Sequence, residues 1–204
     1  MQLVPAQDEV VELLRRTGGL RQGHFEYPSG LHTNEHLQVA LTMRHFETAK
    51  ILSVGLSRLV RANSELRAMI PELSIVAPAT GGLPVAYGVC EALRARQVYW
   101  AERENDNEPL HFRQYLEVRP GERVLLADDI LRTGQKLFEV KKLVEERGGE
   151  VVGLAVVVYQ PNPIRQDFGS LPLYYLAQLD GKYYANASAC ELCKRGVPVE
   201  KVRL

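Results

Sequence analysis

Residues 123–140 read RVLLADDILRTGQKLFEV, and they concentrate more chemistry than any other stretch of the chain. Val124, Leu125 and Leu126 are apolar and suited to a buried strand, after which Asp128 and Asp129 are expected to emerge at its carboxyl edge. The chain is then expected to turn through Ile130, Leu131, Arg132, Thr133 and Gly134 into a helix opening with Gln135 and Lys136. Gly134 lets backbone amides approach a ligand closely, and those amides together with a helix N-terminus favour an anion. Thr133 adds a hydroxyl donor and Arg132 a positive charge. Two carboxylates beside an anion cradle need another task. They can accept hydrogen bonds from the vicinal hydroxyls of a ribose, or act on Mg2+ through water. A phosphate cradle adjoining two hydroxyl acceptors describes a phosphorylated pentose. The plainer alternative has Asp129 capping the helix and Asp128 solvated. The run of strand, acid pair, Thr-Gly and helix outweighs it.

A second cradle precedes the first. LSIVAPATGG reads as a short buried strand entering a turn, and PVAYGVCEALRAR as the helix behind it. Ala79, Thr80, Gly81 and Gly82 occupy the turn, and two adjacent glycines before a helix expose amides to a diphosphate.

The elements that must hold these turns follow from periodicity. Val10, Val11, Leu13 and Leu14 recur at helical spacing and Thr17-Gly18-Gly19 closes that helix. GHFEYPSGLHTNEHLQVAL is too rich in turn residues for a plain helix. A helix is expected from Thr42 to Ala62, with Pro71 in a connecting stretch. QVYWA reads as a strand, AERENDNEPLHFRQYLEVRPGE as a long polar loop, GQKLFEVKKLVEERGG as a helix, and EVVGLAVVVY and LPLYYLAQL as strands. Strands alternating with helices imply right-handed crossovers and a parallel sheet, so the fold class is α/β. No linker or repeat interrupts residues 1–204, which are expected to form one domain.

The 204 residues carry 25 basic and 25 acidic side chains, which gives no support to a nucleic-acid or membrane-surface partner. No apolar run approaches a membrane span, and the N-terminus has no signal-peptide pattern. Three cysteines are too few and too odd for a secreted disulfide scaffold, so a reducing cytoplasm is expected. Cys190 and Cys193 have the spacing of half a zinc site. Closing it would require Cys90, a histidine or another subunit. The plainer reading is a packed terminal turn, and no metal ligand is assigned from sequence.

Residues 123–134 resemble the phosphoribosyl pyrophosphate motif of type I phosphoribosyltransferases, with Arg132 where the first of two hydroxyl residues is usual and Gln135-Lys136 where small residues are usual. The resemblance extends over nearly the whole chain and points to the orotate phosphoribosyltransferase branch. GHFEYPSGLHTN is similar to that branch's N-terminal segment, which helps form a hood over the base. The resemblance implies a small hood made mainly of residues 1–40 and the C-terminal segment. It also offers Phe25, Ser29, Gly30 and His32 as base or substrate contacts. Without it, His24 and His32 read as turn-stabilising hydrogen-bonders. VAPATGG resembles the pyrophosphate loop. Residues 102–115 correspond to the catalytic loop, with Arg103, His111 and Arg113 as the cations that would meet the leaving pyrophosphate. The Asp-Arg that usually ends the third strand is replaced by Tyr159-Gln160, so Gln160 is offered to the base in place of a cation. The tail ACELCKRGVPVEKV resembles a Cys-x-x-Cys-Lys-x-Gly-x-Pro tail of some bacterial and archaeal members.

The resemblance implies Mg2+-dependent transfer of 5-phosphoribosyl from phosphoribosyl pyrophosphate to a nucleobase, first of all orotate, by a homodimer. The alternatives are transfer to another base, or a regulator that binds phosphoribosyl pyrophosphate with weak catalysis. A dinucleotide-binding protein fails for want of a Gly-x-Gly-x-x-Gly turn.

Overall fold

The computed structural model describes residues 4–105, 108–114, 116–161 and 164–202. Helix α1 (Gln7–Arg16) buries Val10 and Leu14, one turn apart, and Thr17 closes it by donating its hydroxyl to the Leu13 carbonyl at 2.7 Å. The histidine-rich segment that follows is a hairpin of β1 (Leu20–Glu26) and β2 (His32–Leu37), turned at Gly30 with φ 79°.

The single helix expected from Thr42 is two. Helix α2 (Val39–Met43) is short, and α3 (Phe46–Ala62) begins after His45 takes extended backbone with ψ 112°. The hydroxyl of Thr42, buried on α2, bonds that of Thr17 at 2.7 Å, so α2 is tied to the end of α1 and the chain bends to start α3. The connecting stretch also contains an unexpected helix, α4 (Ser64–Met69). Asn63 caps it, its side-chain oxygen accepting the Glu65 and Leu66 amides at 3.0 and 3.1 Å. Pro71 lies in the 3-10 turn Ile70–Glu72.

Strand β3 (Ser74–Pro78), helix α5 (Gly82–Leu93), strands β4 (Gln97–Ala101) and β5 (Arg123–Leu131), helix α6 (Gln135–Glu146) and strands β6 (Glu150–Tyr159) and β7 (Leu173–Gln178) follow. The strands form a five-stranded parallel sheet in the order β4-β3-β5-β6-β7. Alternation along β5 fills both faces. Leu125 and Ala127 join the core under α3 and α5, whereas Val124 and Leu126 join the core under α6. Parallel strands covered on both faces read as the continuous apolar runs seen in the sequence. Strand β5 runs two residues beyond the acidic pair. Ile130 and Leu131 continue the ladder opposite Val158 and Tyr159, so Asp128 and Asp129 sit within the strand and not past its edge.

A second sheet, in the order β8-β2-β1-β9, joins the hairpin to β8 (Tyr183–Tyr184) and β9 (Glu200–Lys201), the latter following helix α7 (Glu191–Lys194). Residues near both ends of the chain thus meet, Phe25 opposite Glu200 and Glu26 opposite Lys201.

The segment 102–122 is less polar in structure than in composition. Glu102 and His111 bridge through their backbones, and Leu110, Phe112 and Val118 are buried, Phe112 packing edge-on to Tyr99. Tyr115 of this loop lies outside the described residues.

Buried Glu122 ties together the starts of β3, β4 and β5. Its carboxylate accepts from Ser74 Oγ, from Gln97 Nε2 at 2.7 Å, from Tyr99 OH at 3.3 Å and from the Arg119 amide at 2.8 Å. Burial pushes its pKa up, but these four donors outweigh burial and hold it below the ordinary 4.5. Its stabilisation is therefore present above the ordinary glutamate value and lost as pH falls through the depressed folded value. Glu122→Leu strands these donors and is expected to cost about 3 kcal/mol, roughly 6–12 °C in Tm, measurable by thermal melts at neutral pH.

Candidate active site

Strands β3 and β5 are neighbours in the sheet, Val76 opposite Leu126, so the turns leaving their carboxyl ends lie side by side. Glycines allow the close approach. A Cβ on Gly81 would stand 3.1 Å from Asp129 Oδ2, and one on Gly82 would stand 3.1 Å from both Asp128 Oδ1 and the Ala127 carbonyl. The Ala79–Thr80 peptide is cis. Both turns border one cavity of about 530 Å³.

Gly134 caps α6 with φ 73°, and a Cβ there would meet the Phe168 ring at 2.9 Å and Leu131 Cδ1 at 3.0 Å. Both the left-handed backbone and the packing demand glycine. Gly134, and not Asp129, therefore occupies the cap, which removes the helix-cap explanation of the acid pair. Gln166 braces the loop, its amide donating to the Thr133 carbonyl at 2.8 Å and its Nε2 to Gln135 Oε1 at 3.0 Å.

Asp128 is 8% exposed, and its Oδ1 accepts the Asp129 amide at 2.9 Å. Burial, and then the charge of Asp129, hold the Asp128 carboxyl well above the ordinary aspartate range. Burial raises Asp129 too, and Lys136 draws both back. Two desolvated carboxylates side by side are poised to gain from hydroxyl donors or a cation.

Of the residues singled out from sequence, the cavity wall contains Ala79, Gly81, Arg103, Asp128, Asp129, Ile130, Arg132, Thr133, Gly134, Gln135 and Lys136. Thr80 and Gly82 flank it within the same turn, and Leu131 is buried beneath it. Arg103 Nη2 donates to Glu139 Oε2 on α6 at 2.8 Å, which places it on the wall.

Other singled-out residues lie off the cavity wall. Arg113 pairs with Glu102 and His111 bridges the same residue, so neither lines the cavity. Phe25 is 1% exposed, its ring against His36 and under Arg21, inside the hood. Ser29 and Gly30 make the hairpin turn, away from the cavity. His32 is buried against His24 and the cysteines of the tail. Gln160, 1% exposed, lies behind Arg132 and off the cavity wall: its Oε1 accepts Arg132 Nε at 2.8 Å and Tyr183 OH at 3.2 Å.

The hood contributes residues that sequence reasoning missed, namely Tyr27, His36, Leu37 and Gln38 on the cavity wall. Arg132 stacks over Tyr27 and Tyr183, 5.9 and 5.3 Å from their ring centroids. His36 Nδ1 meets Tyr27 OH at 3.2 Å. Burial, opposed by a hydrogen bond with Gln38 and assisted by the charges of Arg21 and Arg132, lowers the His36 pKa below the ordinary 6.5 and keeps the ring neutral.

The phosphoribosyl transferase domain family matches residues 47–167, more than half of the chain and the whole stretch from α3 through both cradles. The chain belongs to the phosphoribosyltransferase family. An orotate phosphoribosyltransferase of Carboxydothermus hydrogenoformans is 34% identical over 193 residues and covers 95% of both chains. One of Thermus thermophilus is 34% identical over 194 residues, 95% of this chain and 100% of the relative. The solved orotate phosphoribosyltransferase of Mycobacterium tuberculosis superposes with a TM-score of 0.63 at 22% identity, over 85% of this chain and 95% of the other. At that identity the superposition speaks for the fold, which is that of the type I phosphoribosyltransferases. The hairpin, β8 and β9 lie outside residues 47–167, so the hood is the part of the cavity wall that the family match does not reach.

Proposed function

We propose that this phosphoribosyltransferase moves the 5-phosphoribosyl group of phosphoribosyl pyrophosphate to orotate, releasing pyrophosphate, and that it works as a homodimer in the cytoplasm. The observation that carries the choice of base is Arg132, a cation on the cavity wall held by Gln160 and stacked on Tyr27 and Tyr183. Orotate is uracil with a carboxylate, and a fixed guanidinium is the group that selects for that carboxylate. With Nε committed to Gln160, the two Nη groups would be the donors offered to the base. Whole-length relatives named as orotate phosphoribosyltransferases support the same choice.

The remaining roles follow from position. Amides of the 132–136 turn and the Thr133 hydroxyl would hold the 5-phosphate at the start of α6. Asp128 and Asp129 would accept the ribose hydroxyls, a partnership that relieves their desolvation. The 79–82 turn would take the pyrophosphate, with Arg103 beside it. The ring nitrogen forms its bond to the anomeric carbon as the bond to the pyrophosphate oxygen breaks, and the electron pair departs with pyrophosphate. The protein's work is then positioning and charge stabilisation.

Mg2+ fits this wall in a particular manner. Asp128 and Asp129 are two carboxylates and not a cage. Among the described residues, the cluster of three or more metal-capable side chains lies elsewhere, at His24, His32, Cys190 and Cys193. An ion here would be held by substrate oxygens and water, with the acid pair reaching it from its hydration shell. Held in that way, Mg2+ would supply positive charge opposite the diphosphate oxygens. Support for the cytoplasm comes from the three free cysteines. Support for a dimer comes from large apolar side chains left exposed on α3 and α5, Phe46 at 73% and Tyr87 at 55%.

The test is pyrophosphate release from phosphoribosyl pyrophosphate and Mg2+ with a panel of orotate, uracil, adenine and hypoxanthine. Release with orotate alone is expected. Tight binding of phosphoribosyl pyrophosphate with no turnover on any base would overturn the catalytic reading in favour of a regulator.

A further inference from the structure

The cysteines of the tail, read from sequence as half a site, meet their complement in the hood. Cys190 caps the single turn α7 and Cys193 lies within it. The Gly196 amide donates to the Cys193 carbonyl at 2.9 Å, and the Val197 amide to the Leu192 carbonyl at 3.0 Å. His24 lies on β1 and His32 opens β2, across the hairpin. His24 Nε2, His32 Nδ1 and the two Sγ atoms all lie within 4.8 Å of one another, and His24, His32 and Cys190 are buried. His24 Nε2 is 3.5 Å from each Sγ, and Cys193 Sγ is 3.5 Å from His32 Nδ1.

Hydrogen bonding alone accounts poorly for this arrangement. His24 Nδ1 is 2.8 Å from the Val197 carbonyl, which has no proton to give, so the His24 proton resides on Nδ1 and Nε2 presents a lone pair to the cluster. That one lone pair faces His32 Nδ1 at 2.8 Å and two thiol sulfurs at 3.5 Å, three polar groups around a single acceptor. A cation at the centre satisfies all four groups at once. Bond lengths of about 2.3 Å to sulfur and about 2.0–2.1 Å to nitrogen in a tetrahedron separate N from S by about 3.5 Å. Three of the N···S separations already have that value, the histidine nitrogens have to part by roughly half an ångström, and the remaining pairs lie within 4.8 Å. The Val197 carbonyl holds the tautomer that a metal-bound histidine requires.

We propose that His24, His32, Cys190 and Cys193 form a closed Cys2His2 zinc site. Two thiolates and two imidazoles in a tetrahedron select Zn2+ over the oxygen-seeking cations. Four protein ligands leave no open position, so the role is structural. The site clamps the segment carrying α7 and β9 onto β1 and β2, the sheet that presents Tyr27 and His36 to the cavity. It stands independently of which base is used.

The test uses the full chain, reduced with a phosphine and stripped with a chelator, then titrated with Zn2+ alone and separately with Co2+. One Zn2+ per chain is expected, together with the intense visible bands and thiolate charge-transfer absorption of tetrahedral Co2+. Restoring Zn2+ is expected to raise Tm by on the order of 10 °C. Cys193→Ser is expected to weaken zinc binding at least about 100-fold, because it removes one of the four ligands, whereas Cys90→Ser binds as the wild type does. A folded wild-type chain that takes up no stoichiometric Zn2+ would overturn the proposal, as would a Co2+ spectrum without thiolate charge transfer or full affinity in Cys193→Ser. Should Cys193→Ser not fold, the wild-type Co2+ spectrum decides.

Discussion

Asparagine at both Asp128 and Asp129 is expected to lower kcat/KM roughly 10²–10⁴-fold, the loss of two charge-assisted hydrogen bonds to the ribose. Binding of phosphoribosyl pyrophosphate should weaken in parallel, read by calorimetry. The same change is expected to raise the Tm of the ligand-free protein at neutral pH, because it removes a buried carboxylate and its half-buried neighbour, both desolvated. The direction follows from linkage. Burial, and for Asp128 the neighbouring Asp129, raise both folded pKa values above the ordinary 3.8. The stability these groups contribute is therefore fully present below the unfolded value and lost as pH rises through the raised folded value. Wild-type chain should gain stability between neutral pH and mild acid, and the double variant should lack that gain. Glu122, whose folded pKa is depressed, works in the opposite direction and only below 4.5. Unchanged binding of phosphoribosyl pyrophosphate by the double variant would remove the acid pair from the site.

Arg132 carries the second large effect. Arg132→Thr is expected to reduce kcat/KM for orotate about 10²–10³-fold, the value of a charge-assisted pair with one partner deleted, while changing affinity for phosphoribosyl pyrophosphate only a few-fold. Gln160→Ala should cost about tenfold, because Gln160 orients Arg132 and does not itself meet the base. The family pattern, a hydroxyl residue in the turn and an arginine ending the third strand, suggests a rescue. Arg132→Thr combined with Gln160→Arg is expected to regain part of the orotate activity. A double variant no better than Arg132→Thr, with its fold intact, would show that the carboxylate is read elsewhere.

Both cradles were legible in the sequence because each is local. A buried apolar run, a turn with glycine and a helix start occupy about a dozen consecutive residues at 74–85 and again at 124–137, and the parallel sheet brings them together. Gly134, which marks the turn in the sequence, turns out to be the left-handed cap of α6. What escaped was non-local or depended on one residue of register. His36 and Tyr27 line the cavity where Phe25 and His32 were expected, because the hairpin's placement over the parallel sheet, and no local motif, decides which of its residues reach the wall. Gln160 was read as a substitute for a lost arginine at its own position. Its meaning lies 28 residues away, where it holds the arginine that the turn gained. His24 and Cys193 are 169 residues apart, and the pairing of β9 with β1 and of β8 with β2 brings them within reach. Along α2 and α3 the apolar pattern is continuous, and the break at His45 arises from Thr42 being tied to Thr17.

The most direct measurement is the ratio of kcat/KM for orotate to that for uracil in the wild-type chain, with saturating phosphoribosyl pyrophosphate and Mg2+ and the nucleotide product identified by mass. The two bases differ in the carboxylate alone. A cavity that reads that carboxylate through Arg132 is expected to favour orotate by at least about 10²-fold, with one pyrophosphate released per orotidine 5′-monophosphate formed. Equal use of the two bases, or no nucleotide from orotate, would contradict it.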